Sequence, residues 1–337
     1  MATENYALLI GVEDYSILDR SEGRAAGASN VAGAAEDARV WLRQCRAWGY
    51  EASHIRLCTS PLSNGSHMGI DGAGVRTSDA SRASLESGLN WLSNALSRNP
   101  MSSGLITFSG HGEQGRGIVL CPADTSSTEQ NLLYLPEIRN LIGGGPTVGS
   151  VTIVLDCCRE GAVVKQRNAI RPRLRRWGRR FGMGMARGPG DARVIAACEP
   201  NSTAVSSTFG GQTMGAFTWA LTSVLGQWQT IEKDNVTRLD ASYGEVLHRT
   251  RMLLQALSFD QIPVLQGAPA IDGLPFLEPT GQRVRGRTVS EPTCRRRRRQ
   301  LDPSELDFRT YLLRYTDPSG VASPCGYHCC HLHRWNR

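Results

Sequence analysis

Residues 104–112 read GLITFSGHG, and residues 151–158 read VTIVLDCC. Each stretch begins as a short apolar run and ends in side chains that can take part in chemistry, which is typical of a buried strand in a parallel sheet. In such sheets the functional groups sit in loops just past the carboxyl ends of the strands. If the two strands are neighbours, His111 and a cysteine lie at the same edge of one sheet.

Apolar runs and helical patterns alternate on both sides of these stretches. The predicted strands are residues 6–12, 55–58, 104–108, 151–155 and 193–198, and residues 261–267 are predicted to be a short strand or a turn. The predicted helices are one that starts at Glu36-Asp37 and three over residues 85–96, 215–225 and 242–257. This alternation indicates an α/β domain with a mostly parallel sheet flanked by helices. We predict that the domain spans residues 1–280.

The composition excludes several classes of protein. The chain has 337 residues, of which 40% are hydrophobic and 20% charged, as in ordinary globular proteins. No apolar run approaches the ~18–20 residues of a membrane span, and no basic segment of a signal peptide precedes the first apolar run. Ten cysteines are too few for a disulfide scaffold in a chain of this length, so thiols in a reducing compartment are expected. We therefore predict a cytoplasmic protein without a membrane partner.

The net charge of +7 is concentrated in two segments. Residues 281–337 contain 12 arginines against 5 acidic residues, and residues 159–193 contain 11 basic residues against 2 acidic ones. The first segment is predicted to be a disordered basic tail. Within it, Arg295–Arg299 could alternatively be a nuclear-localisation patch. No nucleic-acid partner is expected, since no aromatic residues interleave with these arginines.

The tail also holds cysteines and histidines, between Cys325 and His333. Their spacing is too compressed for the paired ligand sets of a structural zinc site. No metal site is therefore predicted.

A cysteine and a histidine at neighbouring strand ends have the chemistry of a nucleophile and its base. The thiolate is the reactive form, and an imidazole can accept its proton and later protonate the leaving amine. Glycines on both sides of His111 would let a backbone N–H approach a developing oxyanion closely. Taken singly, each residue is more often a structural group, but together the two strand ends indicate a cysteine hydrolase.

Several motifs, in the same order along the chain, resemble the caspase-fold peptidases of the metacaspase and paracaspase group. They are LLIGV at 8–12, GAAEDA at 33–38, FSGHG at 108–112, LDCC at 155–158, GAFTWAL at 215–221 and QIPVL at 261–265. The resemblance implies a caspase-like fold and a cysteine endopeptidase of the peptidase C14 type. It assigns the base to His111, the nucleophile to Cys158, and the oxyanion donors to the backbone N–H groups of Gly112 and Cys158.

The residues around the nucleophile leave the subfamily open. Metacaspases usually show His-Ser after the nucleophile, where this chain has Arg159-Glu160, and Cys157 stands where serine is common. An arginine after the nucleophile looks more like paracaspases and true caspases. The altered Arg159-Glu160 and the potential of the following basic loop to block the cleft motivate an alternative function, a catalytically silent caspase-fold module that interacts with or regulates an active relative.

Charge predicts the specificity. Asp156 lies two residues before the nucleophile, so its carboxylate is expected to line the pocket for the side chain that precedes the cleaved bond, and an acidic pocket selects Arg or Lys. The resemblance adds Asp37 and Ser109 to this substrate-binding pocket. The structural alternatives are a helix first-turn acid for Asp37 and a carboxylate that caps a loop for Asp156.

The basic segment 159–192 is predicted to be a long loop between the nucleophile and the next strand. Such loops at an active site are usually functional or disordered, and in this fold the position resembles the junction where family members are cut. We expect the loop to be a substrate or an inhibitor of its own cleft, and the alternative is a solvated connector whose arginines reflect codon usage. No cofactor is expected. Calcium activation is not expected either, because Lys165 stands where calcium-dependent metacaspases show an acid and Asp124 is the one aspartate between His111 and Asp156.

Overall fold

The computed structural model describes residues 4–63, 72–98, 102–114, 118–128, 130–142, 150–157, 192–199, 202–227, 230–233, 236–239, 241–266 and 269–277. Cys158, residues 159–191 of the predicted basic loop and the predicted tail lie outside the described residues, so what was expected of them stays a prediction. Of the described residues, all except 209–211 belong to one compact unit.

The secondary-structure elements follow in chain order. The strands are β1 (Asn5–Val12), β2 (Ile55–Ser60), β3 (Arg76–Asp79), β4 (Ser103–Gly110), β5 (Gly112–Gln114), β6 (Ile118–Leu120), β7 (Leu133–Tyr134), β8 (Ser150–Cys157), β9 (Arg193–Ala196), β10 (Ser206–Phe209), β11 (Gln212–Gly215), β12 (Thr230–Lys233), β13 (Val236–Leu239) and β14 (Val264–Gln266). The α-helices are α1 (Ser16–Glu22), α2 (Ala34–Ala47), α3 (Arg82–Arg98), α4 (Leu135–Leu141), α5 (Ala216–Leu225) and α6 (Tyr243–Ala256).

Seven of these strands form the central sheet, in the order β14-β9-β8-β4-β1-β2-β3. All neighbouring pairs are parallel except β14 with β9, which is antiparallel. The predicted α/β class with a mostly parallel sheet is therefore confirmed. From β1 the chain first builds β2 and β3 on one side and then crosses to β4, β8 and β9 on the other. This switch point between β1 and β4 is where open parallel sheets form their ligand crevice.

Burial on both faces explains the apolar runs of the central strands. Every residue of β4 and β8 is buried, as are the last six of β1. The predicted leucine stripe of α3, at Leu85, Leu89, Leu92 and Leu96, is fully buried in the core. Each buried leucine contributes about 1.5–3 kcal/mol relative to an exposed one, so this stripe accounts for the packing of α3 on the sheet.

Several short elements were not predicted. The strand β3 is an edge strand with mostly polar, partly exposed side chains, so it lacks the apolar run that marks a buried strand. The three-stranded antiparallel sheet β5-β6-β7 begins one residue after His111, and its strands are too short to show a period. The short strand or turn predicted over 261–267 is a strand confined to Val264–Gln266. No described helix is both long and apolar enough to cross a membrane.

Candidate active site

The two strand ends singled out in the sequence are neighbours in the sheet. The strands β4 and β8 pair in parallel, with Ser109 opposite Asp156 and Gly110 opposite Cys157. Adjacent strands lie about 4.8 Å apart. His111 is the first residue after β4, and Cys158 is the next residue of the chain after β8. His111 and the predicted nucleophile Cys158 thus each follow directly in the chain after one of two adjacent strands.

Cys157 is part of the hydrophobic core. Its side chain is buried, with 2% of its surface exposed, in the cluster that also contains Ile153 and Leu155 from the same strand. Because side chains alternate along a strand, Asp156 faces the opposite side of the sheet. Cys157 is thus a packed thiol that a substrate cannot reach, and Cys158 is the other cysteine at this strand end.

The imidazole of His111 is held by a backbone carbonyl. Its Nε2 lies 2.7 Å from the carbonyl oxygen of Ser29, and because a carbonyl can only accept, Nε2 carries the hydrogen. Nδ1 is then the atom of the neutral ring that can accept a proton. The loop that bears Ser29 is itself fixed by backbone bonds, from Asn30 N–H to Gly27 O at 3.1 Å and from Val31 N–H to Glu13 O at 3.0 Å.

The surroundings of His111 favour the neutral ring. Burial lowers the pKa of the imidazole, and the positive charge of Arg24 lowers it further. The Ser29 carbonyl and the carboxylate of Asp19 act in the opposite direction but do not outweigh burial. A histidine with a lowered pKa is deprotonated at neutral pH, which is the form that a general base requires.

Gly112, the predicted oxyanion donor, has its N–H directed away from the neighbouring strand. The N–H of Cys121 donates to the His111 carbonyl at 3.1 Å, so His111 and Cys121 form a hydrogen-bonded pair. The next pair, Gly112 and Leu120, is then a non-hydrogen-bonded one, in which the backbone groups point outward. This places the Gly112 N–H where it can donate to a group outside the sheet.

The three predicted pocket residues converge. One carboxylate oxygen of Asp37 accepts the hydroxyl hydrogen of Ser109 at 2.5 Å, and the other accepts the N–H of Gly215 at 2.8 Å. Asp156 accepts both the N–H and the hydroxyl of Thr218, at 2.9 and 2.7 Å. A Cβ placed on Gly215 would lie 2.1 Å from Oδ2 of Asp156 and 3.0 Å from Oδ2 of Asp37. The two carboxylates therefore flank one residue.

Gly215 and Thr218 belong to the start of α5, and this explains the arrangement. Gly215 is the N-cap of the helix, and without a side chain it cannot satisfy the free N–H groups of the first turn. Asp156 supplies the missing acceptor at Thr218, where the helix dipole also favours a negative charge. The structural alternative for Asp156 was a carboxylate that caps a loop, and the structure shows it instead at the first turn of a helix. Asp37 lies in the first turn of α2.

Burial destabilises the charged form of both carboxylates. It raises the pKa of Asp156 to about 6, although the two hydrogen bonds from Thr218 act to lower it. The pKa of Asp37 is raised well above its usual range by burial and by the nearby charge of Asp156. In the part of the chain that the structure describes, neither carboxylate forms an ion pair. A cation that entered beside them would therefore be strongly favoured.

Three contributors to the site were missed in the sequence, namely Ser29, Gly215 and Thr218. The carbonyl of Ser29 acts through the backbone, so its residue type gives no signal. Gly215 and Thr218 lie at a predicted helix start, and a glycine N-cap without a capping side chain could have suggested an external acceptor. Within the described residues no group of three or more His, Cys, Asp or Glu side chains could hold a metal ion.

Comparison with known proteins identifies the family of the chain. The family model of the peptidase C14 caspase domain matches residues 4–271. Among solved structures, a Geobacter sulfurreducens protein determined as a structural genomics target superposes with a TM-score of 0.52 and 17% identity, covering 80% of this chain and 96% of its own. Caspase-1 from Spodoptera frugiperda gives a TM-score of 0.46 and 10% identity, covering 79% of this chain and 87% of its own. No curated protein sequence matches the chain. The family match covers most of the chain and includes both strand ends, and the chain therefore belongs to the caspase-domain family of C14 peptidases.

Proposed function

We propose that this protein is a cysteine endopeptidase that cleaves after Arg or Lys, with Cys158 as the nucleophile and His111 as the base. The observation that carries the proposal is the convergence of Asp37, Asp156 and Ser109 beside the strand end that leads into Cys158. Membership of the caspase-domain family supports the class of chemistry. The acidic pair supports the choice of substrate.

The first half of the reaction transfers the acyl group to sulfur. Nδ1 of His111 takes the thiol proton while Sγ of Cys158 attacks the scissile carbonyl carbon. The negative charge that develops on the carbonyl oxygen is stabilised by the backbone N–H groups of Gly112 and Cys158. The imidazolium then gives its proton to the leaving amine as the C–N bond breaks, which leaves a thioester on Cys158.

The second half releases the acid. His111 takes a proton from water as the water oxygen attacks the thioester carbon. The tetrahedral intermediate collapses, the C–S bond breaks, and the thiolate recovers the proton from His111. Each bond is exchanged by groups of the chain, the substrate and water, so we propose that the steps need no cofactor. We also propose, on the grounds of Lys165 and the sparse aspartates, that calcium is not required.

The pocket explains the preference for cationic side chains. A guanidinium or ammonium group that enters between Asp37 and Asp156 would stabilise the charged form of both carboxylates, which lack a partner cation in the described residues. An aspartate side chain would instead bring another negative charge beside them. Partners are accordingly proteins or peptides with Arg or Lys before the cleaved bond, among them the chain's own segment 159–192. A cytoplasmic location is proposed on sequence grounds alone.

The proposal is tested with fluorogenic peptides that end in Arg, Lys or Asp. Wild type should cleave the first two and spare the third. Cys158→Ala should lose all activity, whereas the matched variant Cys157→Ser should keep most of it, because Cys157 is a core residue. A preference for Asp, or activity that survives in Cys158→Ala, would refute the proposal. Absence of any cleavage by pure, folded protein would favour the silent regulatory module instead.

A further inference from the structure

Tyr15 is a buried tyrosine beside His111 that the proposed mechanism does not use. It lies in the chain just after β1, the strand that pairs with β4, and its side chain has no exposed surface. The centroid of its ring lies 4.6 Å from that of the imidazole, with the planes tilted by 52°. The tyrosine therefore packs directly on the base.

The hydroxyl of Tyr15 bridges the backbone of His111, just after β4, and the backbone of Cys121, just after β6. It accepts the N–H of His111 at 2.7 Å and donates to the carbonyl of Cys121 at 2.9 Å. A facing hydrogen-bonded pair in an antiparallel ladder exchanges two direct bonds. Here the bond from Cys121 N–H to the His111 carbonyl is direct, and the hydroxyl stands in place of the other.

Gly110 makes room for this bridge. A Cβ at Gly110 would lie 2.6 Å from the hydroxyl oxygen of Tyr15, well inside contact distance. Its φ of 152° adds a conformation that side chains rarely adopt. A glycine is therefore required at position 110 for the contact with Tyr15, whether or not it also serves the oxyanion.

His111 is therefore fixed at two points, its backbone N–H by Tyr15 and its Nε2 by the Ser29 carbonyl. We propose that Tyr15 is a positioning residue for the catalytic base. Its hydroxyl sets the backbone of His111 so that Nε2 stays on Ser29 and Nδ1 stays available for the thiol proton. The inference rests on the proposed function for its kinetic consequence, whereas its structural consequence can be measured without any activity.

The kinetic test compares two deletions of a buried hydroxyl. Tyr15→Phe keeps the ring and removes the bridge. Tyr243→Phe is the matched control, since the Tyr243 hydroxyl also forms buried hydrogen bonds, with Thr152 and with the N–H of Leu277, toward the other end of β8. With active sites titrated by an Arg-directed electrophile, Tyr15→Phe should lower kcat at least tenfold and leave KM within twofold, because small displacements of a catalytic group slow chemistry strongly. Tyr243→Phe should retain the wild-type kcat.

The structural test measures the imidazole by ¹⁵N NMR in full-length Cys158→Ala protein, with the His111 signals assigned by their loss in His111→Ala. At a pH above its pKa, His111 should show one protonated nitrogen, Nε2, and one unprotonated nitrogen, Nδ1. Adding Tyr15→Phe should move both shifts toward the average of the two tautomers. Adding Tyr243→Phe should not.

Unchanged ¹⁵N shifts in the Tyr15→Phe protein would overturn the proposal, as would a kcat of Tyr15→Phe that is no lower than that of Tyr243→Phe. If Tyr15→Phe does not fold, the proposal is tested by hydrogen exchange in the wild-type protein. A slowly exchanging Tyr15 hydroxyl proton and a protected His111 amide support the bridge, and fast exchange of both overturns it. If wild type cleaves no peptide, the proposed function fails while the NMR arm still decides the role of Tyr15.

Discussion

Asp156, which we propose as a substrate-binding residue, lowers the stability of the folded protein when it is ionised. Its pKa is raised from the usual 3.8 to about 6 because the carboxylate is buried. An acid whose pKa is higher in the folded state binds its proton more tightly there, so the free energy of unfolding falls as the pH rises from about 4 to about 6 and is constant above. A shift of this size corresponds to about 3 kcal/mol.

Replacing Asp156 should therefore stabilise the protein at neutral pH. Asp156→Asn keeps an oxygen that can accept from Thr218 but carries no charge, so its free energy of unfolding at pH 8 should exceed that of wild type by up to about 3 kcal/mol. At pH 4 the two should be similar. Urea unfolding at both values measures this. The control is Asp79→Asn. The hydroxyls of Ser81 and Ser84 lower the pKa of the Asp79 carboxylate, so its replacement should lower the free energy of unfolding at pH 8. A less stable Asp156→Asn would contradict the buried-charge account.

The same ionisation predicts how specificity depends on pH. Peptides that end in Arg or in its neutral analogue citrulline share every other contact, so the ratio of their kcat/KM values isolates the charge of the pocket. The ratio should rise with pH through about 6, as Asp156 ionises, and should level off above. In Asp156→Asn this rise should be reduced. A ratio that is flat from pH 5 to 8 would show that the pocket charge does not select the substrate.

At the scale of elements, the start of α5 is hydrogen-bonded to the two carboxylates of the proposed pocket. The N-cap Gly215 leaves its first-turn N–H groups without a local side-chain acceptor, and Asp37 and Asp156 supply acceptors from α2 and β8. The same two carboxylates that we propose for the substrate pocket thus connect the start of α5 to the first turn of α2 and the end of β8.

Thr218 tests this link. Thr218→Val removes the hydroxyl bond to Asp156 and leaves the N–H bond in place, so it should cost about 1 kcal/mol of stability. Because that hydroxyl lowers the pKa of Asp156, its loss should raise the pKa and move the midpoint of the Arg-to-citrulline ratio to higher pH. Thr218→Ser keeps the hydroxyl and should resemble wild type. A midpoint that is unmoved in Thr218→Val would contradict the link.

The sequence predicted those elements whose burial leaves a local pattern. The leucines of α3 and the apolar runs of β4 and β8 carry their own period, and Asp156 is identified by its place two residues before the proposed nucleophile. Contacts made through the backbone or between distant segments have no such signal. The carbonyl of Ser29 and the hydroxyl of Tyr15 reach His111 from 82 and 96 residues away, and the polar edge strand β3 has no apolar run.

For the whole molecule, the distribution of charge predicts self-processing. Residues 159–193 contain 11 basic residues and 2 acidic ones, and they follow Cys158 directly in the chain, while the proposed pocket is a pair of carboxylates. A tethered segment reaches an effective concentration of about millimolar at its own cleft, so even weak affinity would populate the bound state.

Wild type should therefore split within 159–192 into two fragments of similar size on incubation, and Cys158→Ala should stay whole. If the bound loop is instead an inhibitor, wild type stays whole and neutralising its arginines should raise the rate of peptide cleavage. Gel mobility and peptide turnover, followed together, separate these outcomes. An intact wild type whose rate is unaffected by neutralisation would mean that the segment is a connector only.

The most direct test of the account is to identify the cysteine that an Arg-directed electrophilic peptide modifies. The side chain of such a reagent enters the acidic pocket, and its reactive carbon then meets the nucleophile. Mass spectrometry of the labelled protein should place the adduct on Cys158, with none on the buried Cys157, and labelling should be lost in His111→Ala and much reduced for the Asp-directed analogue. An adduct on Cys157, or equal labelling by the Arg- and Asp-directed reagents, would contradict the account.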